Sequence, residues 1–464
     1  MTTQDSSGDS PSRYDAVIAS DRQNVWHHLT QHKMLENNDP MVIVKGDGMR
    51  VTDANGKQYL DATSGGVWTV NVGYGRKEIA EAVRDQLEEL CFFAHTAGNI
   101  PAAQMAEQLI DKMPGMSRVY FTVSGSEANE KAYKMVRQIG HAESGGMQHK
   151  IIYRRRDYHG TTISALSSSG QPQRREQYGP FTPGFVEMPS CYCYRCPFGQ
   201  TYGSCNIECA HELENVIKRE GAYSVAAVVL ESITAGGGVI VPVPEYFPII
   251  QDICRRYGVL LHLDEVVCGL GRTGKWFGYE HFNVKPDLVT LAKGVASGYA
   301  AIGCTVTSEA VFDKFKANPS DPMSYFRDIS TYGGCTSGPA AAVANMQIIE
   351  RENLLENAAT MGAYLLERLH ELQSKHTVVG DVRGIGLLAG IELVRNRDTK
   401  EPVSEIDVVD ITARCLQEGL IVGRTNRSFD VYNNTLTLCP ALIVTRSEID
   451  EMVDIMDRSL GAYA

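Results

Sequence analysis

Several things are missing from this chain, and each absence narrows its class. No uninterrupted apolar run in the 464 residues approaches the ~18 that a membrane helix needs. The first residues are small and polar, with no cationic stretch leading into an apolar one. Residues 1–13 are therefore expected to be a disordered tail rather than a secretion signal, in a cytoplasmic protein. Basic residues are in deficit, 44 Lys and Arg against 56 Asp and Glu, a net charge of −12. That argues against broad nucleic-acid binding, which wants a basic face, and no basic helix-turn-helix segment is present. The global sign says little about the substrate, because the field inside a cleft can oppose it. Internal repeats and long low-complexity segments are also absent. Neither nucleic acid nor membrane is expected as a partner.

The chain is long enough for two or three domains and a large core, with 43% apolar and 22% charged residues, as in a soluble globular protein. From about residue 75 to 334, short apolar runs alternate with helix-length amphipathic segments. The runs are Val119-Tyr-Phe-Thr-Val, Ile151-Ile-Tyr, Ala226-Ala-Val-Val-Leu, Val259-Leu-Leu-His-Leu and Leu288-Val-Thr-Leu-Ala. Continuous apolar runs of this kind predict buried parallel strands with crossover helices, an α/β architecture. Before it, residues 14–74 include a predicted hairpin, residues 42–48 and 49–56, with Asp-Gly and Asn-Gly as turn signals. After it, residues 335–464 predict helical stretches at 339–373 and 406–418 and a few strands, including 387–393. The expected layout is a large, mostly parallel α/β domain (75–334) and a smaller α+β domain built from both chain ends.

Three of the runs end in an ionisable residue: Glu231, the pair Asp264-Glu265, and Lys293. Ligands of open parallel sheets bind at the carboxyl ends of the strands, so these three ends point to one crevice. Any one of them alone reads as a buried salt-bridge member; their common position favours a site. Beside them, Val119–Val123 runs into Ser124-Gly-Ser-Glu-Ala-Asn, a small-residue turn opening a helix. Free N–H groups there, with Gly125 letting the backbone close in and Ser126 adding a hydroxyl, suit an anion, although a plain N-cap has the same look. Helix start, aspartate and lysine together match what pyridoxal 5′-phosphate asks of a protein: a phosphate seat, a partner for the ring nitrogen, and an amine that bonds the aldehyde carbon.

The blocks Leu261-His-Leu-Asp-Glu-Val-Val-Cys-Gly-Leu-Gly-Arg-Thr-Gly and Pro286-Asp-Leu-Val-Thr-Leu-Ala-Lys-Gly, in this order and spacing, resemble the signature of class III (ω-) aminotransferases. The resemblance extends from Val25 to the end of the chain. It implies the fold-type I architecture of PLP-dependent transferases, and a homodimer or dimer of dimers with active sites at the subunit interface. It makes Lys293 and Asp264 the catalytic pair. Lys293 matches the lysine that bonds the cofactor, and Asp264 the partner of the ring nitrogen. Val266 and Tyr158, the latter in Asp-Tyr-His159-Gly, match the residues on the two faces of the ring. Gly125 and Ser126 match the phosphate cup, and Glu231 the pocket glutamate. Thr331 matches the threonine that reaches the partner subunit's phosphate, and Trp68 an aromatic of the substrate pocket. The sequence departs from the family pattern after Glu231, where Ser232 stands for the usual proline, and after Thr331-Tyr, where Gly-Gly-Cys-Thr-Ser-Gly replaces Ser-Gly-His-Pro.

Arg424 lies near the family's mobile substrate arginine, with Arg427 as the neighbour that a one-residue slip would choose. Val25-Trp-His-His-Leu29-Thr stands where many relatives have Trp-x-Pro-Phe-Thr, which adds Leu29 to the expected substrate contacts. A packed helix start is the other reading of that segment. Together with the 61–70 segment it looks most like the family branch that moves the amine of taurine to pyruvate, giving sulfoacetaldehyde and alanine. β-Alanine or 4-aminobutyrate as donor is the alternative, and a PLP-dependent aminomutase a more distant one. Five of the twelve cysteines crowd into residues 191–209 as Cys-x-Cys-x2-Cys-x8-Cys-x3-Cys. This spacing fits no standard zinc or iron–sulfur site cleanly. A metal-free loop of reduced thiols packed by aromatics is expected, and a metal or redox module is the rival for that segment.

Overall fold

The computed structural model describes residues 14–94, 96–316, 320–425 and 434–463. The expected tail at 1–13 and Arg427 lie outside them. No helix among the described residues is long and apolar enough to cross a membrane.

The N-terminal hairpin forms as Ile43–Asp47 against Arg50–Asp53. Gly48 at its tip has φ 55°, a left-handed conformation that glycine adopts without a Cβ penalty. A third strand not anticipated from the sequence, Gln58–Asp61, extends the hairpin, and Leu420–Ile421 joins that strand in parallel. Both chain ends thus share one sheet.

All five apolar runs lie in a seven-stranded sheet. Its order is Met116–Thr122, Gly303–Ser308, Leu288–Leu291, Leu260–Asp264, Val225–Glu231, Lys150–Arg154 and Phe185–Met188. The last five pair in parallel. Gly303–Ser308, unanticipated because its alternating Thr residues look half-exposed, runs antiparallel to both neighbours. Val225–Glu231 and Leu288–Leu291 are buried at every position, which is why they read as unbroken apolar runs. The helix Tyr246–Tyr257 covers the sheet with Tyr246, Phe247, Ile250, Ile253 and Cys254, a stripe at helical spacing. Each large apolar side chain so buried contributes about 1.5–3 kcal/mol.

In the C-terminal part, the predicted helical stretch at 339–373 is two helices, Ser337–Arg351 and Leu354–Lys375. They break at Asn353, whose φ is 52°. The strands Val379–Ile385, Leu388–Asn396, Thr435–Leu438 and Gly423–Arg424 form an antiparallel sheet. The cysteine-rich insertion packs against it. Tyr192 is buried between the guanidinium groups of Arg156 and Arg383, each 4.7 Å from its ring, and its hydroxyl donates to Glu392. Arg195 and Arg383 pair with the same carboxylate. Lys400 Nζ donates to the Tyr194 carbonyl at 2.7 Å. All twelve cysteines are free, and no group of three or more His, Cys, Asp or Glu among the described residues is arranged to hold a metal ion.

Candidate active site

At the carboxyl edge of the seven-stranded sheet lies a cavity of about 430 Å³. Parallel register puts Glu231 level with Asp264, and Asp264 level with Thr290, so three strand ends open on the same space. Lys293 follows the Leu288–Leu291 strand in a left-handed turn, φ 40°. Opposite, Ser124 caps the helix Gly125–Ser144 by accepting the N–H of Glu127 at 3.2 Å. Gly125, Ser126, Tyr158, His159, Glu231, Asp264, Val266 and Lys293 all line the cavity. The expected cofactor residues of this chain are therefore gathered, with Thr331 the exception.

The Asp264 carboxylate is surrounded by donors. The Val266 N–H reaches Oδ1 at 3.0 Å, and Asn129 Nδ2 reaches Oδ2 at 2.9 Å. His159 Nδ1 lies 2.8 Å from Oδ2. Burial alone would raise this acid, but the hydrogen bonds from His159, Val266 and Asn129 outweigh it and hold the carboxyl below its ordinary range. An ionised carboxylate can only accept, so the Nδ1 of His159 carries the proton between them. Asn129 also donates to the His159 carbonyl at 2.7 Å and accepts from Thr290 Oγ1 at 2.9 Å, tying helix, loop and two strands to this one acid.

Burial lowers the Lys293 amine, and the nearby Glu231 and Asp264 carboxyls only partly restore it. Its Nζ lies 5.3 Å from the Trp68 ring centroid. Glu231 is pushed well above the carboxylate range by burial and by Asp157 and Asp264. Its two oxygens accept the N–H groups of Tyr158 (2.9 Å) and Ala235 (3.1 Å), so it shapes the loop carrying Tyr158. The same loop is held from beneath by fully buried Arg154, which pairs with Asp157 at 3.0 Å and donates to the Glu231 carbonyl at 2.7 Å.

These residues fit pyridoxal 5′-phosphate. Asp264 offers acceptor lone pairs to a protonated ring nitrogen, and the helix start offers N–H groups to a phosphate. A Cβ at Gly125 would lie 2.8 Å from Val266, so only glycine lets the helix and Val266 approach this closely. Tyr158 and Val266 supply two apolar walls, and Lys293 supplies the amine.

Four expected residues do not line the cavity of this chain, one of them Trp68, whose neighbour Thr69 does line it. Thr331 is exposed in a short turn, Thr331–Gly334. Leu29 is exposed in the N-terminal segment. Arg424 is ion-paired with Glu405 at 3.1 Å. Conversely, Asn129, Arg154, Asp157 and Arg174 escaped the sequence reading. Asn129 had a signal, since it sits one turn after Ser126 on the cavity side of the helix. Arg154 ends the Lys150–Arg154 strand, Asp157 lies in the loop after it and Arg174 in the four-residue helix Pro172–Arg175, and none has a periodicity to mark it.

The model of the family described as Aminotransferase class-III matches residues 33–460. A taurine–pyruvate aminotransferase of Bilophila wadsworthia (strain 3_1_6) is 59% identical over 443 residues, 96% of each chain. A hypotaurine/taurine–pyruvate aminotransferase of Paracoccus denitrificans (strain Pd 1222) is 57% identical over 451 residues, 97% of this chain and 98% of its own. Among solved structures, a Bacillus anthracis aminotransferase superposes with a TM-score of 0.92 at 38% identity, over 98% of this chain and 99% of its own.

Proposed function

The chain belongs to the class-III aminotransferases, and on that premise we propose that it moves the terminal amine of taurine to pyruvate, giving sulfoacetaldehyde and alanine. The observation that carries the reading is the pairing, in one cavity, of an aspartate held ionised with a lysine whose amine is held below its ordinary range. The names of two relatives at 57% identity or more give the substrate pair. When bound, pyridoxal 5′-phosphate supplies an aldehyde that bonds amines and a ring that draws in the electrons left by a departing proton. Asp264 keeps a proton on the ring nitrogen, with His159 and Asn129 fixing its orientation. Lys293 would supply the amine that bonds the aldehyde and, as a free amine, would accept the proton from the substrate carbon beside the nitrogen, a task suited to a lowered amine pKa. Tyr158 and Val266 would flank the ring, Gly125 and Ser126 would hold the phosphate, and Trp68 lies beside Lys293.

The working unit on this reading is a homodimer in the cytoplasm, in which Thr331 completes the partner's phosphate seat. The exposed aromatic patch around Thr331 supports the first part. Free thiols throughout the chain support the second. The two-part layout, with a small domain from both chain ends, is supported by the parallel pairing of Leu420–Ile421 with Gln58–Asp61. Arg424 remains the proposed mobile cation for the pyruvate carboxylate, released from Glu405 when an anion competes for it. The test is steady-state turnover with pyruvate and a series of amines. Taurine should give the highest kcat/KM, and a much higher value for β-alanine or 4-aminobutyrate would overturn the named donor while leaving transamination in place.

A further inference from the structure

Arg174 has an unusual setting for a cation. Its Cζ lies 4.6 Å from the centroid of the Tyr158 ring, and its Nε donates to Gln171 Oε1 at 2.6 Å. Gln171 is itself fully buried and anchored, its Nε2 donating to the Arg156 carbonyl at 2.9 Å. One edge of the guanidinium is thus clamped by a fixed amide, and one face rests on an aromatic ring. The other edge, Nη1 and Nη2, makes no hydrogen bond among the described residues, and no carboxylate among them lies within ion-pair distance. Burial presses on the charged form of this guanidinium, with Tyr158 and Glu231 partly restoring it. A half-buried cation without a counter-ion costs stability unless something supplies the missing charge.

The position says what would supply it. A Cβ at Gly236 would lie 3.4 Å from Gln171 Nε2 and 3.8 Å from Trp68 Cη2, so the clamp and Trp68 border one spot. Trp68 in turn lies 5.3 Å from Lys293 Nζ. Arg174 also sits close enough for its charge to act on Lys293. Arg174 therefore lies near the lysine with its Nη edge unmatched, whereas Arg424 has its charge matched by Glu405.

We propose that Arg174 is the fixed cation that receives the anionic end of the amine donor, a sulfonate or carboxylate two carbons from the reacting nitrogen. This rests on the reading above that the donor is an ω-amino acid or sulfonate. The guanidinium edge offers parallel N–H groups to two oxygens of one anion, a geometry that lysine cannot copy. Because Arg174 is fixed, it selects donors of a set length. Arg424 is left to swing for the acceptor, so the two half-reactions use different cations.

The experiment compares taurine with 2-(methylsulfonyl)ethylamine, a neutral amine of the same skeleton, on wild-type, R174Q and R174K holoenzymes. Cofactor retention is checked by absorbance. In R174Q, kcat/KM for taurine should fall by roughly 100-fold and for the neutral sulfone by less than about threefold. R174K should recover part of the loss. Calorimetric affinity for ethanesulfonate, which has no amine to react, should fall in step with the taurine value. Parallel losses for both amines, or an unchanged taurine value, would overturn the assignment. If R174Q loses its cofactor, the same ratio is read on R174K, where a selective loss of roughly tenfold for taurine is expected. A wild type that does not prefer taurine to the sulfone would instead sink the anionic-donor reading on which the assignment rests.

Discussion

The donors around Asp264 come from the helix Gly125–Ser144, the loop at His159 and the backbone just past its own strand. An acid so held keeps its charge to lower pH than a free carboxyl does, which is what a protonated ring nitrogen requires of its partner. D264N should keep the fold and the cofactor, yet lower kcat by roughly 100-fold or more, about 3 kcal/mol of barrier. Turnover near that of the wild type would show that another group serves the ring. Its neighbour Glu265 behaves in the opposite way. Burial pushes its carboxyl up to about 7, against hydrogen bonds from Ser232 and from the N–H groups of Gly278 (2.7 Å) and Tyr279 (2.9 Å). The native state thus keeps a proton that the unfolded chain gives up near pH 4.5. The stability this group contributes is full below that pH and is lost as pH rises through about 7. Ser232 supplies one of the three donors. S232A should therefore cost about 1–2 kcal/mol of unfolding free energy at pH 8, and less at pH 5 where the acid is neutral. Denaturant titrations at the two pH values measure this, and an equal loss at both would refute it.

At the scale of elements, the insertion 191–209 joins the seven-stranded sheet to the C-terminal one. Glu392 on the Leu388–Asn396 strand collects Tyr192, Arg195 and Arg383, and the Tyr192 ring is held between two guanidinium groups. Y192F keeps the ring but removes the hydroxyl, so it should lower unfolding free energy by about 1–3 kcal/mol with turnover preserved. An unchanged melting curve would mean that the two arginines alone satisfy Glu392. None of this was legible in the sequence, where the cysteines drew attention and Glu392 was one residue in a strand. What was legible followed local rules. Apolar runs buried on both faces were read as parallel strands, and charges at their ends as the edge of a site. Gly303–Ser308 was missed because its threonines pack within the sheet, and tertiary burial does not mark them as apolar. Arg174 was missed because a four-residue helix, Pro172–Arg175, carries no periodic signal.

At the scale of the whole molecule, the turn Thr331–Gly334 sits on an edge that a single chain leaves bare. Phe92 bridges to Cys335, and the Phe93 N–H donates to the Gly334 carbonyl at 3.0 Å, so both aromatic residues adjoin Thr331. Phe92, Phe93, Ile329 and Tyr332 are all exposed, a patch of large apolar side chains of the kind that marks an interface. Thr331 lies in the middle of that patch and away from the cavity of its own chain. Both facts follow if a second copy covers the patch and takes the Thr331 hydroxyl into its own phosphate seat. Charges placed on this patch should then do two things at once. The double variant F93D/Y332D should run as a monomer by light scattering, and should bind pyridoxal 5′-phosphate at least roughly tenfold more weakly, since an interfacial donor to the phosphate is gone. T331A should weaken the cofactor similarly while remaining dimeric, which separates loss of the hydroxyl from loss of the partner. A monomeric F93D/Y332D that binds cofactor and turns over like the wild type would mean that each chain completes its own site.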